Sequence, residues 1–417
     1  MLLTSLLRIL LTRSFKAFTF KGRYSNQLNF ASMKNLGLYV HIPFCKSICS
    51  FCPYCKELYD EKLALRYKDT LMKEIDLVCK GMRGKKAVTS LYFGGGTPTL
   101  LIDSLSEIIQ KLKEYFEIND GVGVEIHPDE VTDEILGKLQ NAGVSMVSIG
   151  VQSFNEECLQ KLGRKHIGIE EKLSLLKKYS FSVIDMDLIF GIPGQDKQTL
   201  KNDIETAFRC GATQISTYPF IDFTFANNEY KPLSHKEKRV MLEYLNELCS
   251  KPEINRTSVW TFAKSKTGKY SSVTRDTFLG FGVSATTLLQ DIFKINTFSV
   301  QEYINRVYSN NLPTALTLNF TKRQRAVYYL FWSAYSLHIN GDAFERLIGK
   351  PITKMFGIEF FIAKKLGLLI KENNTYYLTN KAAYIYHYLE QKYTTAYIDK
   401  MWNISRKIAF PEKIELK

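Results

Sequence analysis

Cys45, Cys49 and Cys52 stand at C-x3-C-x2-C spacing directly after a short apolar run, in Tyr39-Val-His-Ile-Pro-Phe-Cys45-Lys-Ser-Ile-Cys49-Ser-Phe-Cys52. A cubane iron–sulfur cluster has four irons, each seeking an outer ligand, and thiolates are the usual supply. Three cysteines on one tight loop leave one iron open. An open iron can chelate the amino and carboxylate groups of S-adenosylmethionine and pass an electron to its sulfonium, so that carbon–sulfur cleavage yields a 5′-deoxyadenosyl radical. Two plainer readings stand beside this one: a four-cysteine zinc knot that also uses Cys55, and thiols that ligate nothing. Zinc knots usually join two separated cysteine pairs, whereas these spacings are cramped. Cys55 is either a fourth ligand, which would close the open iron, or a bystander. Cys79, Cys158, Cys210 and Cys249 are isolated in apolar or helical contexts and read as ordinary buried thiols.

A second set of residues sits at the ends of other apolar runs. Leu91-Tyr-Phe-Gly94-Gly95-Gly96-Thr97-Pro98-Thr99 ends one, and its glycines predict backbone groups that a ligand can approach closely. A phosphate loop would need a following Gly-Lys-Ser/Thr, which is absent, so an amino-acid or ribosyl moiety is the better ligand; a mere tight turn is the plain alternative. Glu125, Gln152 and Asp187 lie inside apolar runs, and Arg164 lies beyond one. Polar groups there are costly to bury without partners. Each alone reads equally well as a structural salt bridge or cap; in order on consecutive units they support one ligand site. His41 and His127 read as structural hydrogen-bonding groups.

Positioning these residues requires strands. From Leu38 onward, short apolar runs (38–42, 90–93, 122–126, 146–151, 183–190 and 214–218) alternate with stretches of helical spacing (61–79, 105–116, 130–141 and 199–209). That rhythm predicts an α/β fold of parallel βα units, with the chemistry at the C-terminal ends of the strands. After about residue 312 the pattern changes to three helices followed by two short strands around Lys371-Glu-Asn-Asn-Thr375, as in a winged helix. Its third helix carries many large apolar residues and few bases, which predicts packing against the first domain rather than reading DNA. The expected organisation is a basic leader over 1–36, a barrel with its extension over 37–311, and a winged-helix-like domain over 312–417.

Fifty-six Lys and Arg against 42 Asp and Glu give a formal charge of +14, which favours an anionic partner: nucleic acid, an anionic membrane surface or a carboxylate-rich small molecule. A merely basic surface is the plain alternative. No apolar run approaches the roughly 18 residues of a membrane-spanning helix, which predicts a soluble protein. Residues 1–56 contain no acid, while Arg8, Arg13, Lys16, Lys21, Arg23 and Lys34 punctuate an apolar stretch similar to an organelle presequence. Equally, translation could start at Met33, with 1–32 an upstream or disordered tail.

With these motifs in hand, the chain resembles the radical S-adenosylmethionine enzymes of the oxygen-independent coproporphyrinogen III oxidase family, with its heme chaperone, anaerobilin synthase and class C methyltransferase relatives. The segments that carry the resemblance are Tyr39 to Cys52, Gly94 to Thr99, Gly150-Val-Gln152-Ser-Phe154, Asp187-Leu-Ile-Phe-Gly191-Ile-Pro-Gly194-Gln and the looser Leu279 to Ala285. It implies a partial (β/α)6 barrel and a [4Fe-4S] cluster on Cys45, Cys49 and Cys52. It places one S-adenosylmethionine against Tyr39, Gly95 and Glu125. For the second molecule that some members bind, the matching positions are Phe51, Gly96, Thr97, Gln152, Arg164 and Asp187. It also implies an electron donor such as a flavodoxin or a ferredoxin.

The departures narrow the activity less than the matches do. The decarboxylating oxidases carry an extra cysteine two residues after the third ligand, where this chain has Tyr54, and an N-terminal extension without a match here. The chaperones' His-Asn-x-x-Tyr-Trp motif is lacking in the corresponding 269–278 segment. The stretch from 321 to 402 is similar to the anaerobilin synthases. The resulting expectation is a radical oxidoreductase acting on a tetrapyrrole, porphyrinogen or heme, whose carboxylates suit the basic surface. Alternatives are a methyltransferase on another small molecule, a heme chaperone, and a DNA-binding regulator built on a retired barrel; on the main reading no nucleic-acid partner is expected. An oxygen-sensitive cluster favours the cytoplasm, or a mitochondrial matrix if residues 1–32 are a presequence.

Overall fold

The computed structural model describes residues 2–22, 27–164, 168–226, 228–265, 267 and 276–417. Six strands alternate with helices: β1 (Leu36–Ile42), β2 (Leu91–Gly95), β3 (Val122–Ile126), β4 (Met146–Gln152), β5 (Val183–Phe190) and β6 (Gln214–Pro219). They pair in parallel in chain order. Because helices cover the sheet, nearly every residue of β1, β4 and β5 is buried, which explains their mostly apolar sequences. The helices begin where side chains can satisfy their first N–H groups. Asp60 accepts from the Leu63 amide ahead of Glu61–Cys79, Thr132 from Ile135 ahead of Asp133–Asn141, and Asp196 from Thr199 ahead of Lys197–Arg209.

The six strands do not close on themselves. Beyond β1 the sheet continues through Thr277–Phe281, parallel to it, and then antiparallel through Thr286–Leu288, Ile292–Asn296 and Thr314–Asn319. The next strand is Phe18–Lys21, paired on its other side with Lys413–Leu416. Beyond β6 lie Thr261–Lys264 and Ile254–Arg256. This corrects two expectations. Residues 2–22 are not a disordered leader but a helix, Leu2–Thr12, and a sheet strand. The expected boundary at 311/312 falls between two paired strands, so the C-terminal part shares the main sheet. Arg23 of the basic segment and most of 269–278 lie outside the described residues.

The winged-helix unit is present, with helices Lys322–Tyr335, Gly341–Ile348 and Ile352–Lys365 and strands Leu369–Glu372 and Thr375–Leu378. A third strand, His338–Asn340, pairs with the last of these. Ile352, Phe356 and Phe360 fill the unit's own core with Ala326, Tyr329 and Phe344. The opposite face of Ile352–Lys365 does not pack on the barrel as expected: Ile358 and Phe361 are 67% and 61% exposed. The apolar pattern on that helix is therefore two-sided, and only one side is used inside the fold. No helix among the described residues is long and apolar enough to cross a membrane.

Phe20 is buried in the small core formed with Leu316, Tyr397, Met401, Ile414 and Leu416. A chain begun at Met33 loses this side chain and the strand between 314–319 and 413–416. With ladder hydrogen bonds near 1 kcal/mol each and about 2–3 kcal/mol for burying a phenylalanine, we expect a loss of about 5 kcal/mol. Thermal melting of the truncated and full chains checks this; equal melting temperatures would contradict the placement.

Candidate active site

The cysteine loop leaves β1 at Ile42 and returns at Glu57, whose amide donates to the Pro43 carbonyl (2.8 Å). His41 anchors it from inside the strand. Burial lowers the His41 imidazole to about 4, so it is neutral and carries one N–H. A carbonyl can only accept, so Nε2–H donates to the Cys55 carbonyl (2.9 Å) and Nδ1 accepts from the Tyr39 hydroxyl (2.9 Å). From the far side, Arg406 of the helix Asp399–Lys407 donates to the carbonyls of Pro53 and Tyr54, both at 2.7 Å.

The glycine turn lies beneath this loop. A Cβ on Gly95 would stand 2.5 Å from the His41 ring, and one on Gly96 2.5 Å from the Phe44 carbonyl oxygen. Gly95 also has φ +116°, open to glycine. The turn's amides do not point to a ligand as expected. Gly95 N–H donates to Glu125 Oε2 (2.9 Å), Gly96 N–H to Ile42 O (2.7 Å) and Thr97 N–H to Phe44 O (2.7 Å). The glycines therefore serve close packing of the turn against the loop.

Neighbouring strand ends supply the rest. Glu125 also accepts from the Tyr92 hydroxyl (2.8 Å), and burial pushes its carboxyl up to about 7 against the pull of the Gly95 amide. Asp187 accepts from Ser148 (3.0 Å) and is held well above its ordinary value by burial, then by Asp185 and Glu125. Between β4 and β5 the register shifts at Asp187/Leu188, opposite Gln152, which adopts φ +71°. Such irregularities re-aim a side chain at a site. Arg164 donates to His127 Nε2 (2.7 Å) and the Gly150 carbonyl (3.2 Å) and lies over the Phe51 ring.

All the site residues singled out from the sequence line one cavity of about 820 Å³: the cysteines 45, 49 and 52, Tyr39, Phe51, Gly95, Gly96, Thr97, Glu125, Gln152, Arg164 and Asp187. Sequence reasoning missed Tyr92, Ser148, Asp185 and Tyr218, which share it. Polar residues one register step from the chosen ones were the available signal. Cys55 also reaches this cavity, but its thiol donates to the Phe298 carbonyl (3.3 Å) and it packs in the main core.

The donor set suits an iron–sulfur cluster. Three thiols of one loop face a large cavity, and burial, followed by the neighbouring Cys52, raises the Cys45 thiol to about 11, so its thiolate form calls for a cation. Among the described residues no three His, Cys, Asp or Glu side chains gather around a point as for a single ion. A cubane, whose thiolates each bind a different iron, does not require that.

Residues 39–207 match the Radical SAM superfamily. The chain carries a radical SAM domain. It is 26% identical to the heme chaperone HemW of Bacillus subtilis over 82% of this chain and 95% of that one. The anaerobilin synthase of Escherichia coli O157:H7 is 33% identical over 44% of this chain and 42% of its own. Among solved structures, coproporphyrinogen III oxidase (HemN) of Escherichia coli superposes with a TM-score of 0.70 at 22% identity, covering 84% of this chain and 88% of that one. That likeness concerns the fold, a radical SAM barrel with a C-terminal helical region.

Buried carboxyls give the domain a distinctive pH response. Burial holds Glu74, Glu125 and Glu390 up at about 7 and Asp185 and Asp203 at about 6. Each folded value exceeds the unfolded one, so each group's contribution is complete below its unfolded value and is lost as pH rises through the folded one. The expected result is a melting temperature that declines from pH 5 to pH 8. A rise over that interval in thermal scans would contradict it.

Proposed function

We propose that this protein is a radical S-adenosylmethionine enzyme acting on a tetrapyrrole. The observation that carries the reading is the continuity of the cavity: from the cysteine loop and barrel mouth it runs on between Phe298, Phe331, Trp332, Tyr335, Tyr393 and Trp402. A space of this volume with aromatic walls suits a large flat molecule beside a nucleoside cofactor. The tetrapyrrole-related names of its relatives support the same class.

On this reading Cys45, Cys49 and Cys52 hold a [4Fe-4S] cluster, and Tyr39, Gly95 and Glu125 border one S-adenosylmethionine. When bound, cluster and cofactor supply reductive carbon–sulfur cleavage and a 5′-deoxyadenosyl radical. The protein's own share is position and dryness. Glu125 is fixed by Tyr92 and Gly95 and offers its remaining acceptor capacity to the cofactor. The Asp399–Lys407 helix covers the loop through Arg406, with Trp402 stacked on Phe223 at 6.3 Å. The electron donor is a flavodoxin or ferredoxin in a reducing compartment such as the cytoplasm.

A second reading is methyl transfer with two cofactor molecules. It is favoured by Phe51, Gln152, Arg164 and Asp187 facing the cavity with Gly96 and Thr97. The test is anaerobic. Reconstituted protein receives methyl-labelled S-adenosylmethionine and reductant with coproporphyrinogen III or heme, and products are read by mass. Carbon dioxide release without label supports oxidative decarboxylation, and a labelled or opened heme supports methyl transfer. Survival of both tetrapyrroles while 5′-deoxyadenosine accumulates would overturn the substrate class.

A further inference from the structure

The far end of the cavity holds two polar side chains that the cofactor reading does not use. Helix Asn380–Tyr393 runs through a π turn, Thr394–Ile398, into Asp399–Lys407. Along its inner face Glu390, Tyr393, Thr394 and Tyr397 line the cavity at i, i+3, i+4 and i+7. Glu390 is only 8% exposed; Thr394 donates to its Oε1 (2.7 Å), while Oε2 has no partner among the described residues. A buried carboxylate oxygen left open among aromatic rings is costly unless something arrives to satisfy it. Burial lifts this carboxyl to about 7, and in either protonation state it keeps an acceptor oxygen. π turns recur at functional sites.

Arg8 reaches the same cavity from helix Leu2–Thr12 and is 7% exposed. Its Nη1 donates to the carbonyls of Ser14 and Lys16, and its Nε has no partner among the described residues. It is positioned beside the Tyr397 hydroxyl, whose acidity it enhances against burial. Among the described residues, the other lysines and arginine lining the cavity, Lys46, Lys56 and Arg164, belong to the cysteine loop and barrel mouth. Arg8 therefore puts a guanidinium beside Tyr397, which lies about two helical turns, or ~10 Å, along the helix from Glu390.

We propose that Arg8 and Glu390 are the specificity-determining pair of this chamber: Arg8 receives a peripheral carboxylate of the substrate, and Glu390 accepts a hydrogen bond from a ring N–H. The proposal rests on the tetrapyrrole reading and narrows it to a metal-free ring that keeps its inner N–H groups and bears edge carboxylates. A metallated ring lacks the donor for Glu390, and a carboxylate-free ring lacks the anion for Arg8.

The experiment is quenching of tryptophan fluorescence in the cluster-loaded full chain by three probes: coproporphyrin III, its zinc complex and octaethylporphyrin. The wild-type chain is expected to bind coproporphyrin III at least about tenfold more tightly than either other probe, with the preference over octaethylporphyrin shrinking as salt rises. Arg8→Ala is expected to weaken both carboxylate-bearing probes about tenfold and leave octaethylporphyrin unmoved, and Arg8→Lys to restore part of the loss. Glu390→Gln is expected to weaken coproporphyrin III but not its zinc complex. The wild-type comparison of probes stands even where a variant melts early. Tight coproporphyrin binding that neither the probes nor the variants discriminate would overturn this assignment while leaving the tetrapyrrole reading intact. No binding of any porphyrin to the wild-type chain would overturn both.

Discussion

Replacing Cys45, Cys49 or Cys52 singly by Ala abolishes the iron–sulfur absorbance of the reconstituted protein and, with it, cleavage of S-adenosylmethionine. The three side chains share one cavity and one loop, and the returning end of that loop is held from two sides, by the His41 bond to the Cys55 carbonyl and by Arg406 on Pro53 and Tyr54. A missing thiolate cannot be replaced by a moving neighbour. Outer-shell substitutions at metal sites cost about 10–100-fold, so loss of a direct ligand is expected to exceed a hundredfold in cleavage rate. Cys55→Ala is the internal control. Its thiol is engaged with the Phe298 carbonyl inside the core, so that variant keeps its cluster and loses only some stability. Retained cleavage in any of the first three variants would sink the ligand assignment; cluster loss in Cys55→Ala would make Cys55 a ligand.

Glu125→Ala is expected to raise the KM for S-adenosylmethionine about ten- to a hundredfold, the range set by losing a hydrogen bond to a charged acceptor, about 1.5–3 kcal/mol. It also strands the Gly95 amide and the Tyr92 hydroxyl, so the melting temperature should fall. Glu125→Gln separates the two effects. Its amide oxygen can still receive Gly95 N–H and its nitrogen can donate to Tyr92, so the fold is kept while the charge is removed. The pH dependence gives a second readout. The ionised carboxylate is the better acceptor, and its proton leaves near pH 7. Wild-type affinity should therefore rise between pH 6 and pH 8, and that of Glu125→Gln should stay flat over the same range. A Gln variant with wild-type affinity at every pH would remove Glu125 from the cofactor site.

The parts legible in the sequence were those whose environment is local. Val183–Phe190 could be read to the residue because both faces are buried and only Asp185 and Asp187 interrupt its apolar residues. The ligand-facing residues could be read because they follow one another on successive strand ends. Phe18–Lys21 could not, because four residues in a basic stretch carry no period and both partners lie about 300 or more positions away. The amides of the glycine turn looked free because nothing in Gly94-Gly95-Gly96 shows that the preceding loop lies on top of it. Arg8 resembled presequence charge, and Glu390 belonged to no motif that set it apart. A carboxylate spaced three, four and seven residues from Tyr393, Thr394 and Tyr397 was the signal available for the latter.

The pairing of Phe18–Lys21 with Lys413–Leu416 has a consequence for how the molecule assembles. The two strands are widely separated along the chain, so this ladder can form only once the whole stretch between them has been made. The six parallel strands, by contrast, pair in the order they are made. The barrel can thus be paired, with its cysteine loop anchored by His41, while the wall bearing Arg8, Tyr397 and Arg406 is still open. Iron would have its easiest passage to the three thiols in that interval, before these two strands meet.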